Sequence, residues 1–126
     1  MKGECEMKDN AIAVKSKAFA LRIIKLYKYL SGTQKEFVLS KQLLRSGTSI
    51  GANIREAQRG QSKADFYAKL YISLKEADET AYWLELLHES LYLADDQFGS
   101  IYNDCEELIR LLVAITATQK TTPSNS

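Results

Sequence analysis

The chain has 126 residues, enough for one domain with a real buried core. Apolar residues make up 45% and charged residues 26%, a balance that excludes both a disordered chain and a membrane-embedded one. The net charge of +1 hides a division: residues 1–63 carry thirteen Lys/Arg against five Asp/Glu, and residues 64–126 carry four against eleven. The two parts stand at +8 and −7, an asymmetry that bears on partners.

One proline, six glycines and abundant Leu, Ala, Lys and Glu favour helix throughout. The polar start, Met-Lys-Gly-Glu-Cys-Glu, does not read as a signal peptide. No uncharged apolar run reaches the roughly 18 residues of a membrane span. A cytoplasmic protein is expected, with no membrane partner.

The first helix is expected from about Ala11 to Ser31, ended by Gly32, after a flexible tail over residues 1–10. Ile12, Phe19, Ile23, Leu26 and Leu30 form one stripe; Ala20, Ile24 and Tyr27 form a second beside it. Lys15, Arg22, Lys25 and Lys28 sit mostly opposite. The second helix is expected after Thr33, where Thr33-Gln-Lys-Glu36 has the pattern of a capping box, and ends near Arg59 and Gly60. Ser62 caps the third, with Asp65 in its first turn; that helix runs to about Tyr92. Asp95 or Asp96 caps the fourth, whose stripe includes Ile101, Cys105, Leu108, Leu112 and Ile115. Residues 120–126 are expected to be a disordered tail. Four long helices with short breaks over 11–119 predict an all-α, antiparallel up-down-up-down four-helix bundle.

Several residues depart from this plan. Glu76 and Glu79 turn toward the inward side of the third helix, where an unpaired carboxylate is costly. Folding the second and third helices back on each other brings Glu76 near Ser46 and Glu79 near Leu43. A polar network of Arg45, Ser49, Asn53, Glu76 and Glu79 fixing helix register is the expected result. The alternative is a carboxylate pair for acid/base or metal chemistry. It lacks a second ligand helix, since the fourth helix has only Asp104, Glu106 and Glu107 clustered near its start and no histidine. His88 is the single histidine, and no His/Cys/Asp/Glu cluster has metal-ligand spacing. Cys5 and Cys105 do not make a disulfide framework, and Cys105 falls on a core stripe.

Ser46, Gly47, Thr48, Ser49, Gly51 and Ala52 form a small-residue segment suited to close helix packing. A phosphate-cradling loop is disfavoured, because no Gly-Lys-Ser/Thr follows a strand. Phe37, Leu44, Phe66 and Tyr82 lie off the inward stripes and are candidates for an oligomer interface. Arg22, Lys25, Lys41, Arg45, Arg55 and Arg59 are the candidate nucleic-acid-binding residues, on the basic side of the first two helices.

Arg45-Ser-Gly-Thr-Ser-Ile-Gly-Ala-Asn-Ile-Arg-Glu-Ala57, Ser62-x-x-Asp65-Phe66 and Lys75-Glu-Ala-Asp-Glu-Thr-Ala-Tyr-Trp-Leu-Glu-Leu-Leu87 follow one another in order. Together they resemble the four-helix-bundle proteins of intervening sequences in bacterial 23S ribosomal RNA genes, over about residues 15–115. Many relatives have proline where Gly51 stands and glycine where Ala57 stands. The resemblance implies a homo-oligomeric ring, a pentamer in known members. It also implies kinship with the accessory variability determinant of diversity-generating retroelements, which binds nucleic acid and a reverse transcriptase. It implies no catalytic residues, cofactor or small-molecule substrate. Two functions follow as expectations. One is a non-enzymatic nucleic-acid-binding or adaptor protein. The other is a structural module that assembles through charge-complementary faces.

Overall fold

The computed structural model describes residues 2–121, with side chains described over residues 10–119. Its elements are α1 (Lys2–Gly32), α2 (Leu39–Gln58), α3 (Lys63–Glu89) and α4 (Asp95–Thr121). Consecutive helices run antiparallel, and α1 packs against α4 to close the bundle. The diagonal pairs stay apart among the described residues, so each helix occupies one corner of a square. This is the all-α up-down-up-down bundle that the periodicity predicts.

The core is one continuous apolar column. Phe19, Ile23, Leu43, Ile50, Leu70, Leu84, Leu108 and Leu112 are almost fully buried and drawn from all four helices. Removing such surface from water supplies the main stabilisation, roughly 25 cal/mol per Å².

Two boundaries differ from expectation. The helix α1 begins at Lys2, not near Ala11, because the helical backbone continues through the polar segment. The expected tail at 120–126 overlaps the last turn of α4, which ends at Thr121; residues 122–126 lie outside the described residues.

A third difference concerns residues 33–36, which close α1 rather than open α2. The amides of Thr33 and Gln34 donate to the Tyr29 carbonyl at 2.8 and 3.1 Å, and the Glu36 amide donates to the Leu30 carbonyl at 2.8 Å. Lys35 takes the left-handed conformation (φ 57) that reverses the chain. Glu36 then caps α2 forward: its carboxylate accepts from the amides of Val38, Leu39 and Ser40 at 3.2, 3.0 and 2.7 Å. The start of α3 is as read from sequence, with the Ser62 hydroxyl accepting from the Asp65 amide at 3.1 Å. At α4 the reading needs amending: Gln97 Oε1 accepts from the Ala94 amide at 2.9 Å, and Asp95 reaches His88 instead.

The small segment of α2 packs tightly against α1. A Cβ on Gly47 would stand 2.8 Å from Ile23 Cγ1, and one on Gly51 would stand 3.3 Å from Ser16 Oγ. Beside this seam, buried hydroxyls join helices. Ser73 donates to the Ile50 carbonyl at 2.9 Å, and the Thr80 hydroxyl lies 2.9 Å from that of Ser46. Among the described residues no buried side-chain polar atom lacks a partner.

Candidate nucleic-acid interface

Two of the six candidate cations are neutralised within the molecule. Arg22 turns from α1 onto α4, where it pairs with Asp104 and donates to the Ser100 hydroxyl at 3.0 Å. Arg45 bridges to α3, pairing with Glu76 at 3.2 Å and with Glu79. Its hydrogen bond to Glu79 raises the guanidinium's affinity for its proton further. Trp83 donates to Glu79 from the indole, at 3.0 Å. That bond and Arg45 hold the Glu79 carboxyl below its ordinary range, against the opposing effect of burial.

The other four candidates form no ion pair among the described residues. Arg55 and Arg59 line a groove of about 1000 Å³ between α1 and α2, at the end where α2 turns into α3. Small residues form part of its lining, Ala13 and Ala20 from α1 and Gly51 and Ala52 from α2, and the carboxylates of Glu56 and Asp65 lie on it too. Lys17, which the sequence reading did not single out, is the third free cation at this groove. Lys41 is exposed near the other end of α2. Lys25 lines a separate hollow of about 430 Å³ with Tyr29 and Gln97, on the α1–α4 side. The cations are therefore not one cluster: Lys17, Arg55 and Arg59 gather, while Lys25 and Lys41 stand apart.

The polar network forms in part and faces outward. Arg45, Glu76 and Glu79 meet as the fold-back pairing predicts, but the Arg45 side chain is 49% exposed. Ser49 and Asn53 do not cross to α3. Ser49 donates to the Arg45 carbonyl at 2.7 Å and Asn53 to the Ser49 carbonyl at 2.9 Å, both along their own helix. Between α2 and α3 the buried cross-helix bonds come from Ser46, Ser73 and Thr80 instead.

The four candidate interface residues divide. Phe37 and Tyr82 are each 54% exposed. Leu44 and Phe66 are half-buried and pack against the core of their own chain. Other exposed apolar residues escaped the reading, among them Val14 and Leu21 on α1 and Val113 on α4. The helical wheel could have revealed Val14 and Leu21, which lie opposite the core stripe of α1.

The residues with a chemical look serve structure. Cys105 is fully buried, with its thiol 3.4 Å from the Ala77 carbonyl. Burial, aided by Asp78 and Glu106, pushes its pKa up to about 12, so no thiolate is available near neutrality. His88 pairs with Asp95 at 2.7 Å and stacks on Phe98 at 4.2 Å between ring centres. Tyr102 donates to Glu85 at 2.6 Å, a bond that with burial pushes the phenol up to about 12. Among the described residues no group of three or more His, Cys, Asp or Glu side chains is placed to hold a metal ion. No described helix is long and apolar enough to cross a membrane.

Comparison with known proteins adds family and fold. The family model described as 23S rRNA-intervening sequence protein matches residues 8–114. A crystal structure of a protein of unknown function from the S23 ribosomal protein family of Bacteroides thetaiotaomicron VPI-5482 is 59% identical. It superposes with a TM-score of 0.86, over 87% of this chain and 98% of that one. No curated relative matches the chain. The matched family is not a known enzyme family. The match over residues 8–114 takes in all three sequence blocks and most of the bundle, and the chain belongs to the family of 23S rRNA-intervening sequence proteins.

Proposed function

We propose that this chain works without catalysis, as a homo-oligomeric cytoplasmic protein that binds nucleic acid and serves as an adaptor. The observation that carries the reading is the α1–α2 groove, where Lys17, Arg55 and Arg59 form no ion pair among the described residues. Free cations along a groove neutralise phosphates and release condensed counterions. No base-reading motif is visible in the sequence, and small residues, Ala13, Ala20, Gly51 and Ala52, make up part of the groove lining. Binding through the backbone, with little sequence preference, is the corresponding mode. RNA and DNA both present the phosphates that these cations would contact, and both are candidate ligands. A protein partner such as a reverse transcriptase belongs to the same adaptor reading, through the likeness to retroelement accessory proteins.

The test is fluorescence anisotropy with a structured RNA and a duplex DNA over a salt series. Three phosphate contacts give a slope of log affinity against log salt of about −2 to −3. Replacing Lys17, Arg55 and Arg59 by alanine should weaken binding about tenfold or more and flatten that slope. An absence of binding at tens of micromolar protein in low salt would defeat the proposal. The charge division between α1–α2 and α3–α4 supports a second reading, a purely structural module assembling through complementary faces. A stable oligomer that ignores nucleic acid under those conditions would favour it.

A further inference from the structure

The turn between α3 and α4 carries a leucine that the fold does not need. Leu91 stands at φ 72, in the left-handed region that glycine favours just after a helix. It is also 88% exposed. A leucine there is strained by its backbone and returns no buried surface to the bundle. Glycine would close the same turn at less cost. The Tyr92 and Leu93 amides donate to the Leu87 carbonyl at 2.9 and 3.3 Å, and neither bond uses the side chain of residue 91. That side chain is free to serve a contact outside the chain.

Leu91 lines a hollow of about 430 Å³ at this end of the bundle. The hollow joins both connections of that end: Tyr29 and Gln34 line it from the α1 side, and His88, Tyr92 and Leu93 from the α3–α4 side. Its walls are fixed in place. Gln34 donates to the Tyr29 hydroxyl at 2.6 Å, and His88 lies 2.7 Å from Asp95. The surroundings are acidic. Between Lys75 and Arg110 the chain has no Lys or Arg, and Glu89, Asp95 and Asp96 stand within five positions of Leu91. Glu89 and Asp96 form no ion pair among the described residues. Lys35 and Lys41 belong to the α1–α2 side of this end, so the negative charge is confined to the α3–α4 side.

Resting on the adaptor reading above, we propose that the α3–α4 turn docks a basic segment of a different protein, with an apolar side chain of that segment seated in the hollow against Leu91. Charge decides the occupant. A nucleic-acid strand or an anionic lipid would set phosphates against Glu89, Asp95 and Asp96, whereas lysines and arginines complement them. The apolar anchor supplies the affinity and the carboxylates supply the orientation. The groove with Lys17, Arg55 and Arg59 lies at the opposite end of the bundle, where α2 turns into α3. The two ligands can therefore be held at once, which is what an adaptor does.

The test is fluorescence anisotropy of the full chain with a labelled amphipathic peptide of leucine and lysine, about 18 residues long so that it can form a helix. The wild type should bind it, and bind it less tightly as salt rises from about 50 mM to about 500 mM. Peptides with glutamate for lysine, or serine for leucine, should bind at least about tenfold more weakly. Leu91→Gly should weaken binding of the leucine–lysine peptide at least about tenfold, with a urea midpoint equal to or above that of the wild type. Glu89→Lys combined with Asp96→Lys should turn the preference toward the glutamate peptide. A lower midpoint for Leu91→Gly would give the leucine a structural role and overturn the proposal. So would the absence of peptide binding, or an affinity that Leu91→Gly leaves unchanged; RNA or DNA binding that persists in those cases keeps the nucleic-acid reading intact. Light scattering in which Leu91→Gly dissolves an oligomer would give the turn to a second copy, and that too overturns the proposal.

Discussion

Gly47 and Gly51 occupy adjacent turns of α2 and face the same helix, yet they carry different constraints. The Cβ of an alanine at 47 would fall within 3.0 Å of two Ile23 carbons, and Ile23 is fully buried and β-branched, with little room to turn. At 51 the nearest atom is the Ser16 hydroxyl at 3.3 Å, and an alanine there recovers the roughly 1 kcal/mol that glycine costs a helix. Gly47→Ala should therefore destabilise by about 1–3 kcal/mol through overpacking. Gly51→Ala should fall within about 0.5 kcal/mol of the wild type. Urea denaturation of the two variants measures both, and equal midpoints would refute this account of the seam. Sequence alone shows that the segment is small. It does not show which glycine is pressed, because that depends on the azimuth at which α1 arrives.

The beginning of α2 shows how an element can be legible while its mechanism is not. Glu36 was the right residue to notice, but it caps forward, because the turn at Lys35 redirects the chain before α2 begins. Nothing in Lys35 announces a left-handed residue. Burial pushes the Glu36 carboxyl up, but the amides of Leu39, Ser40 and Val38 and the Ser40 hydroxyl outweigh it and leave the pKa below the ordinary 4.5. A depressed pKa means that the cap's contribution is complete above about pH 4.5 and is lost as the pH falls through the lower folded value. Glu36→Ala should cost about 1 kcal/mol near neutrality. The gap in urea midpoint from the wild type should close as the pH drops toward about 3. A gap that is the same at both pH values would contradict the capping role. The hairpin of α2 and α3 was more legible: counting back from the turn brings Arg45 to Glu76, and the two meet. Counting fixes height along the helices but not depth, so the expected buried network is an outward bridge. Exposed pairs of this kind contribute at most about 1 kcal/mol.

At the scale of the molecule, four corners and two opposed charge sheets were visible in the order of residues, because periodicity and charge are local properties. Which cations remain free was not. Arg22 and Lys15 are held by α4, and α1 meets α4 only through the closure of the bundle, across a separation of some eighty residues in the case of Arg22 and Asp104. The result is a near-neutral protein with a basic groove on one side and an acidic seam on the other.

Cys105 of α4 is fully buried, with its thiol against the Ala77 carbonyl of α3. Only the thiolate reacts with an alkylating reagent, and burial holds the pKa at about 12. The sulfur is therefore a stopwatch. In a Cys5→Ser chain, mass spectrometry of iodoacetamide adducts times the opening of the bundle at its centre. Labelling should run at least about a thousandfold slower than in urea, since it waits for opening of the core. Gly47→Ala should quicken it in proportion to the stability lost. Labelling as fast as that of a free thiol would mean that the bundle opens at α4 without unfolding elsewhere.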